Sequence, residues 1–137
     1  MVVWLAALMV ACSNDARVDI HTVEVGLEEW GVHLSEAVIT TPEVDLAVTN
    51  AGILQHEVVI LRTDEPADGL RTVNGIIDLS GIDGTLVGEV ADLSPGQHVD
   101  ADIGLAPGRY VLFCNVPGHY DSGMHAVLTV RAGDVGG

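Results

Sequence analysis

The eleven residues Cys114-Asn115-Val116-Pro117-Gly118-His119-Tyr120-Asp121-Ser122-Gly123-Met124 hold a thiol, an imidazole and a thioether, with four residues between each pair of neighbours. A soft thiolate, a borderline imidazole and a soft thioether converging on one point form a ligand set for copper. Zinc seldom uses Met, and magnesium and calcium want oxygen. A trigonal site of two imidazoles and one thiolate, with a weak axial thioether, needs one more imidazole from elsewhere. His56 offers it, after the Gly-containing turn Asn50-Ala51-Gly52-Ile53-Leu54-Gln55 and ahead of the apolar run Val58-Val59-Ile60-Leu61. Taken singly, a Cys or a Met reads as a buried small hydrophobe or core filler. Together with Pro-Gly-His and Gly-Met, between two β-like runs, they point to a metal. His21, His33, His98 and His125 lack that context and read as strand or surface histidines, although His125 stands beside the axial candidate.

The elements that must bring these residues together are strands. Val23, Val25 and Leu27 alternate with Thr22, Glu24 and Gly26, and Val44, Leu46 and Val48 alternate with Asp45 and Ala47. Both runs read as half-buried strands. Val32 and Leu34 alternate less cleanly. Leu86 to Leu93, then Val99, Ala101, Ile103 and Leu105, resume the two-residue period after turn-rich pieces. Arg109 to Phe113 runs straight into Cys114, and His125 to Arg131 forms the last strand. Residues 62–84 give no basis for choosing between a strand and a short helical turn. Roughly eight short strands with turns every 8–12 residues and no sustained helical period predict a single all-β domain, an antiparallel β-sandwich. If the strands flanking the eleven-residue loop are antiparallel neighbours, Cys114 and Met124 lie at one end of the sandwich, His119 lies at the loop tip, and His56 can reach the same end. Pro117 fixes φ, and Gly118 permits tight curvature before His119.

Composition narrows the function. The 137 residues carry a formal net charge of −15, with five Arg, no Lys and twenty acidic residues. A nucleic-acid partner is excluded on charge, and anionic membrane surfaces are disfavoured. The acidity itself reads as a strongly solvated surface, a look that salt-adapted proteins share, with steering toward a basic partner as the functional alternative. The apolar run 1–11 ends at Cys12 and is too short to span a bilayer, which takes about 20 residues. It fits a secretory leader. Leu8-Met9-Val10-Ala11-Cys12 resembles the lipobox of bacterial-type lipoproteins, with Met9 where Leu is usual and no basic residue ahead of it. Lipidation at Cys12 is the preferred reading, an uncleaved anchor or a plain export signal the alternatives. A Cys12–Cys114 disulfide is the structural alternative. The expected organisation is a leader at 1–11, a tether at 12–19, the domain at 20–132 and a tail at 133–137.

On Cys114-x4-His119-x4-Met124 with its Pro-Gly-His and Gly-Met, and on Asn50-x5-His56-Glu57, the chain resembles the cupredoxins, or type 1 blue copper proteins, and most of all their rusticyanin and sulfocyanin branch. The resemblance covers roughly residues 20 to 132. It implies a Greek-key sandwich holding one copper ion that cycles between Cu(I) and Cu(II) on His56, Cys114, His119 and Met124. It also implies an amide near the Cys114 sulfur, from Asn115 or Val116, and a Gln55 carbonyl near the metal opposite Met124. Four occupied positions leave none open for a substrate, which argues against an enzyme. The residues flanking Cys114, Phe113 and Asn115, are not the His that links such a copper to a second centre in copper oxidases and nitrite reductases. The expected role is outer-sphere electron transfer through the edge of His119, with Val116, Pro117 and Tyr120 docking a membrane-bound redox partner. The expected location is the periplasmic or outer face of a membrane, by a lipid anchor. A copper-delivery lipoprotein without redox cycling, and a structural zinc site, are the alternatives.

Overall fold

The computed structural model describes residues 20–133. The expected leader, the tether and the lipidation candidate Cys12 lie outside the described residues, as does most of the expected tail. Among the described residues eleven strands fold in the order β1 (His21–Glu28), β2 (Gly31–Leu34), β3 (Val38–Ile39), β4 (Glu43–Asn50), β5 (His56–Thr63), β6 (Thr72–Val73), β7 (Ile76–Ile77), β8 (Gly84–Leu93), β9 (His98–Gly104), β10 (Gly108–Phe113) and β11 (His125–Val130). One sheet runs β2-β1-β4-β9 and the other β3-β11-β10-β5-β8, with β6 and β7 forming a separate two-stranded ribbon. The expected sandwich is present. Most pairings are antiparallel, while β1 with β4 and β3 with β11 run parallel.

The alternating strands do what their period dictates. Val23, Val25 and Leu27 of β1 and Val44, Leu46 and Val48 of β4 are buried, facing Val58 and Ile60 of β5, Leu112 of β10 and Leu128 of β11 across one core. Each such side chain contributes about 1.5–3 kcal/mol by leaving water. The unbroken runs Val58–Leu61 and Tyr110–Phe113 have a different cause: both faces of β5 and β10 are covered. Their outward residues Val59, Leu61, Val111 and Phe113 form a second core with Leu70, Ile77 and Tyr120. The segment that was illegible in sequence thus folds as a flap over the outer face of the second sheet. It carries the β6–β7 ribbon and a short 3-10 turn at Leu79–Gly81, capped by the Asp78 side chain accepting from the Ser80 amide.

Strand order then sets the position of the loop. β10 is antiparallel to both β11 and β5, with Phe113 opposite His125 and also opposite Val59. The exit of β10 therefore lies beside the entries of β5 and β11, so His56, Cys114 and Met124 start or finish their strands at one end of the sandwich.

Candidate metal centre

The Cys114 amide donates to the Met124 carbonyl at 3.1 Å, carrying the β10–β11 ladder one step past the strands. Between those residues the chain coils through successive turns. The His119 amide donates to Val116 O, the Ser122 amide to Gly118 O, and the Met124 amide back to His119 O. Gly118 and Gly123 hold φ of +82° and +118°, a region that side chains with a Cβ rarely enter. The coil aims His119 inward, leaving it 8% exposed, while His56, Cys114 and Met124 are fully buried. The His56 and His119 Nδ1 atoms are 3.1 Å apart, and the Cys114 Sγ lies 3.6 Å from His119 Nδ1 and 3.9 Å from His56 Nδ1. Three donor atoms within 4.8 Å of one another make the one such group found among the described residues. Met124 joins Cys114 in the same core.

The electrostatics suit a cation. Burial pushes the Cys114 thiol above its ordinary value, against the amides of Glu57 and Val116, which favour the thiolate. The Glu57 amide lies 3.5 Å from the sulfur. Burial first, then the neighbouring His56, lowers the His119 pKa. A buried set of two imidazoles and a thiol that resists charging on its own fits a soft or borderline cation, whose charge would favour the thiolate outright.

Of the two amides expected near the sulfur, that of Val116 favours the thiolate, while that of Asn115 favours the charged form of the Glu57 carboxylate. The Asn115 side chain instead accepts from the Ile77 amide at 2.7 Å, and the Gly118 amide donates to Gly75 O at 2.9 Å. Both bonds pin the loop to the flap. The Gln55 side chain turns outward and donates to Asp92. Val116 is half-buried and Pro117 exposed, but the expected place of Tyr120 in the docking patch is overturned. Tyr120 is 4% exposed, and its hydroxyl accepts from the Leu70 amide at 2.9 Å and donates to Ala67 O at 2.6 Å. Its ring fills the second core, so it has no face to offer a partner. His125 packs its ring against Tyr120 and stands outside the donor group.

Two residues that sequence reasoning passed over border the site. Trp30, 48% exposed, sets its ring edge-on to His119 with centroids 5.1 Å apart. Glu29 accepts from His56 Nε2 at 2.9 Å and from the amides of Ile53 and Leu54. The Leu54 amide is the largest cause holding its carboxyl at about 2. Nothing local marks either residue, because each meets its partner only across the fold.

The sulfocyanin (SoxE) domain family matches residues 33–135. Among solved structures, auracyanin A, a "blue" copper protein from Chloroflexus aurantiacus, is 20% identical with a TM-score of 0.58, over 82% of this chain and 99% of its own. Sodium-dithionite-reduced auracyanin from Roseiflexus castenholzii is 21% identical at a TM-score of 0.55, over 82% and 96%. Rusticyanin from Thiobacillus ferrooxidans is 15% identical at 0.60, over 82% and 77%. At these identities the likeness is one of fold. No curated protein matches the chain at a significant level.

Proposed function

The chain belongs to the sulfocyanin (SoxE) domain family of the cupredoxins, and from that premise we propose that it is a single-copper electron carrier whose ligands are His56, Cys114, His119 and Met124. The observation that carries this reading is the meeting of His56, Cys114 and His119 donor atoms within 4.8 Å, all three side chains buried. Copper held there supplies a one-electron Cu(II)/Cu(I) couple. The chain's own contribution is to keep the donors still. The amides of Glu57 and Val116 orient the thiolate, and the Cys114–Met124 backbone bond and the ties to Ile77 and Gly75 brace the loop. A preformed donor set needs little rearrangement when charge changes, which suits a carrier.

The narrow edge of His119 that reaches solvent is the proposed exit for the electron. Trp30 beside it, with Val116 and Pro117, forms the proposed docking face for a redox partner. We place the protein outside the cytoplasmic membrane on a lipid attached at Cys12, a reading supported by the Leu8–Cys12 motif. Replacing Cys12 by Ala should release the protein from the membrane fraction. The domain is proposed to begin near residue 20 and end near 132.

The test of the centre is the visible spectrum of copper-loaded protein. A thiolate bound to Cu(II) should give intense absorption, which Cys114→Ser should abolish. Retention of the band in that variant would sink the assignment. Rapid, reversible voltammetry separates a carrier from a delivery protein, which would instead pass copper to an acceptor.

A further inference from the structure

A fully buried imidazole has two nitrogens to account for, and in His56 they face different partners. Nδ1 points to Cys114 and His119. Nε2 lies 2.9 Å from Glu29 Oε1. An ionised carboxylate can only accept, so the ring proton sits on Nε2 and the Nδ1 lone pair is left for the site.

Glu29 is itself fastened. Its Oε1 accepts from the Leu54 amide at 2.8 Å and the Ile53 amide at 3.1 Å. Those amides belong to the turn that delivers His56, and the same turn is wrapped round Asn50. The Asn50 Nδ2 donates to the carbonyls of Leu54 and Leu93, and its Oδ1 accepts from the Gly52 amide. Gly52 leaves room for the carboxylate, since a Cβ there would stand 2.5 Å from Glu29 Oε1. The other histidine–carboxylate pairs among the described residues, His21–Glu36, His33–Glu28 and His98–Asp100, are exposed. His56–Glu29 alone is built into the interior, with the His side chain fully buried and the Glu side chain 20% exposed.

We propose that Glu29 is a positioning residue of the copper centre: its carboxylate fixes the tautomer and orientation of His56 and, by placing negative charge on the far side of that ring, favours Cu(II) over Cu(I). A carboxylate hydrogen-bonded to a ligating imidazole raises the basicity of the ligand, and the more highly charged ion gains more from it. The inference rests on His56 being a ligand. The opposing view is that Glu29 merely gathers the Ile53 and Leu54 amides and shapes a turn; that role would affect stability and leave the couple untouched.

Glu29→Gln keeps the shape and removes the charge. Glu28→Gln removes the same charge one residue away, from a side chain bonded to exposed His33. Affinities for Cu(II) and Cu(I) are measured by chelator competition, the potential by voltammetry, and the His56 ring-proton resonance by NMR of the diamagnetic Cu(I) form. Glu29→Gln should lose about 10- to 100-fold in Cu(II) affinity and less in Cu(I) affinity, shift the His56 resonance and raise the potential, while keeping the visible band. Each tenfold difference between the two affinities corresponds to about 59 mV. Glu28→Gln should do none of this. A folded Glu29→Gln protein that matches Glu28→Gln in affinities and potential would overturn the proposal. If Glu29→Gln does not fold, Gly52→Ala takes its place. It keeps every charge but drives the carboxylate off His56, so it should weaken Cu(II) binding in the same direction, and unchanged binding would equally overturn the proposal. His56→Ala separates the two ideas. Loss of the band there with no effect of Glu29→Gln rejects only the positioning role, whereas a retained band rejects His56 as a ligand and the proposal with it.

Discussion

Met124 is fully buried beside Cys114, at the one point where the loop rejoins the sheet. Its proposed part is the weak axial contact, the position at which such centres are tuned. Met124→Leu keeps the volume, and such swaps usually cost less than about 1.5 kcal/mol. The variant should therefore fold, keep its colour and show a higher potential by voltammetry; an unchanged potential would argue against axial ligation. The four proposed ligands were legible in sequence because Cys, His and Met are scarce and their spacing within one loop is short. Glu29 was not legible: it lies 27 residues before His56 and stands among ordinary acidic residues. Tyr120 was misplaced because its place beside His119 in a coiled loop says nothing about which face is covered, and a segment 50 residues earlier covers it.

At the scale of elements, the continuous runs in β5 and β10 proved to be covered on both faces, which the sequence reading of two apolar strands did not include. The cover is the flap, whose short ribbon and turns have too little period to be read. Tyr120 is its bolt, joined to Leu70 and Ala67. Tyr120→Phe strands a buried amide and a carbonyl, and each such loss costs about 1–3 kcal/mol. Urea unfolding should show that loss, and hydrogen exchange should show the Leu70 amide losing protection. Exchange unchanged at Leu70 would mean the flap is held by its apolar contacts and its ties to Asn115 and Gly118 without that bolt. The sandwich itself was plain from β1, β4 and β9, whereas the parallel pairings of β1 with β4 and β3 with β11 were not, since alternation carries no direction.

The molecule as a whole is crowded with negative charge. Asp45 of β4 stands directly opposite Asp102 of β9. Burial, then Asp100 and Asp102, raise its carboxyl above the ordinary 3.8. Below 3.8 the group is protonated folded or unfolded, and nothing is lost. As pH rises through that value and the raised one, the fold must carry an unwelcome charge. Asp45→Asn should thus raise the melting temperature of the metal-free protein at neutral pH, with the gain fading in acid; an equal gain at both would point to packing instead. The net charge of −15 also implies self-repulsion. Moving from about 0.01 M to about 0.15 M salt shortens screening from about 30 Å to about 8 Å. The melting temperature of the wild type should climb over that range, and a flat response would show that the charges are too well dispersed to matter. Finally, Glu29 follows β1 in one sheet and His56 opens β5 in the other, so their hydrogen bond is a rivet through both layers of the sandwich. Whatever grips His56 from within is thereby tied to the layer that carries none of the proposed ligands, so cutting the Glu29–His56 bond would be felt between the layers as well as at the site.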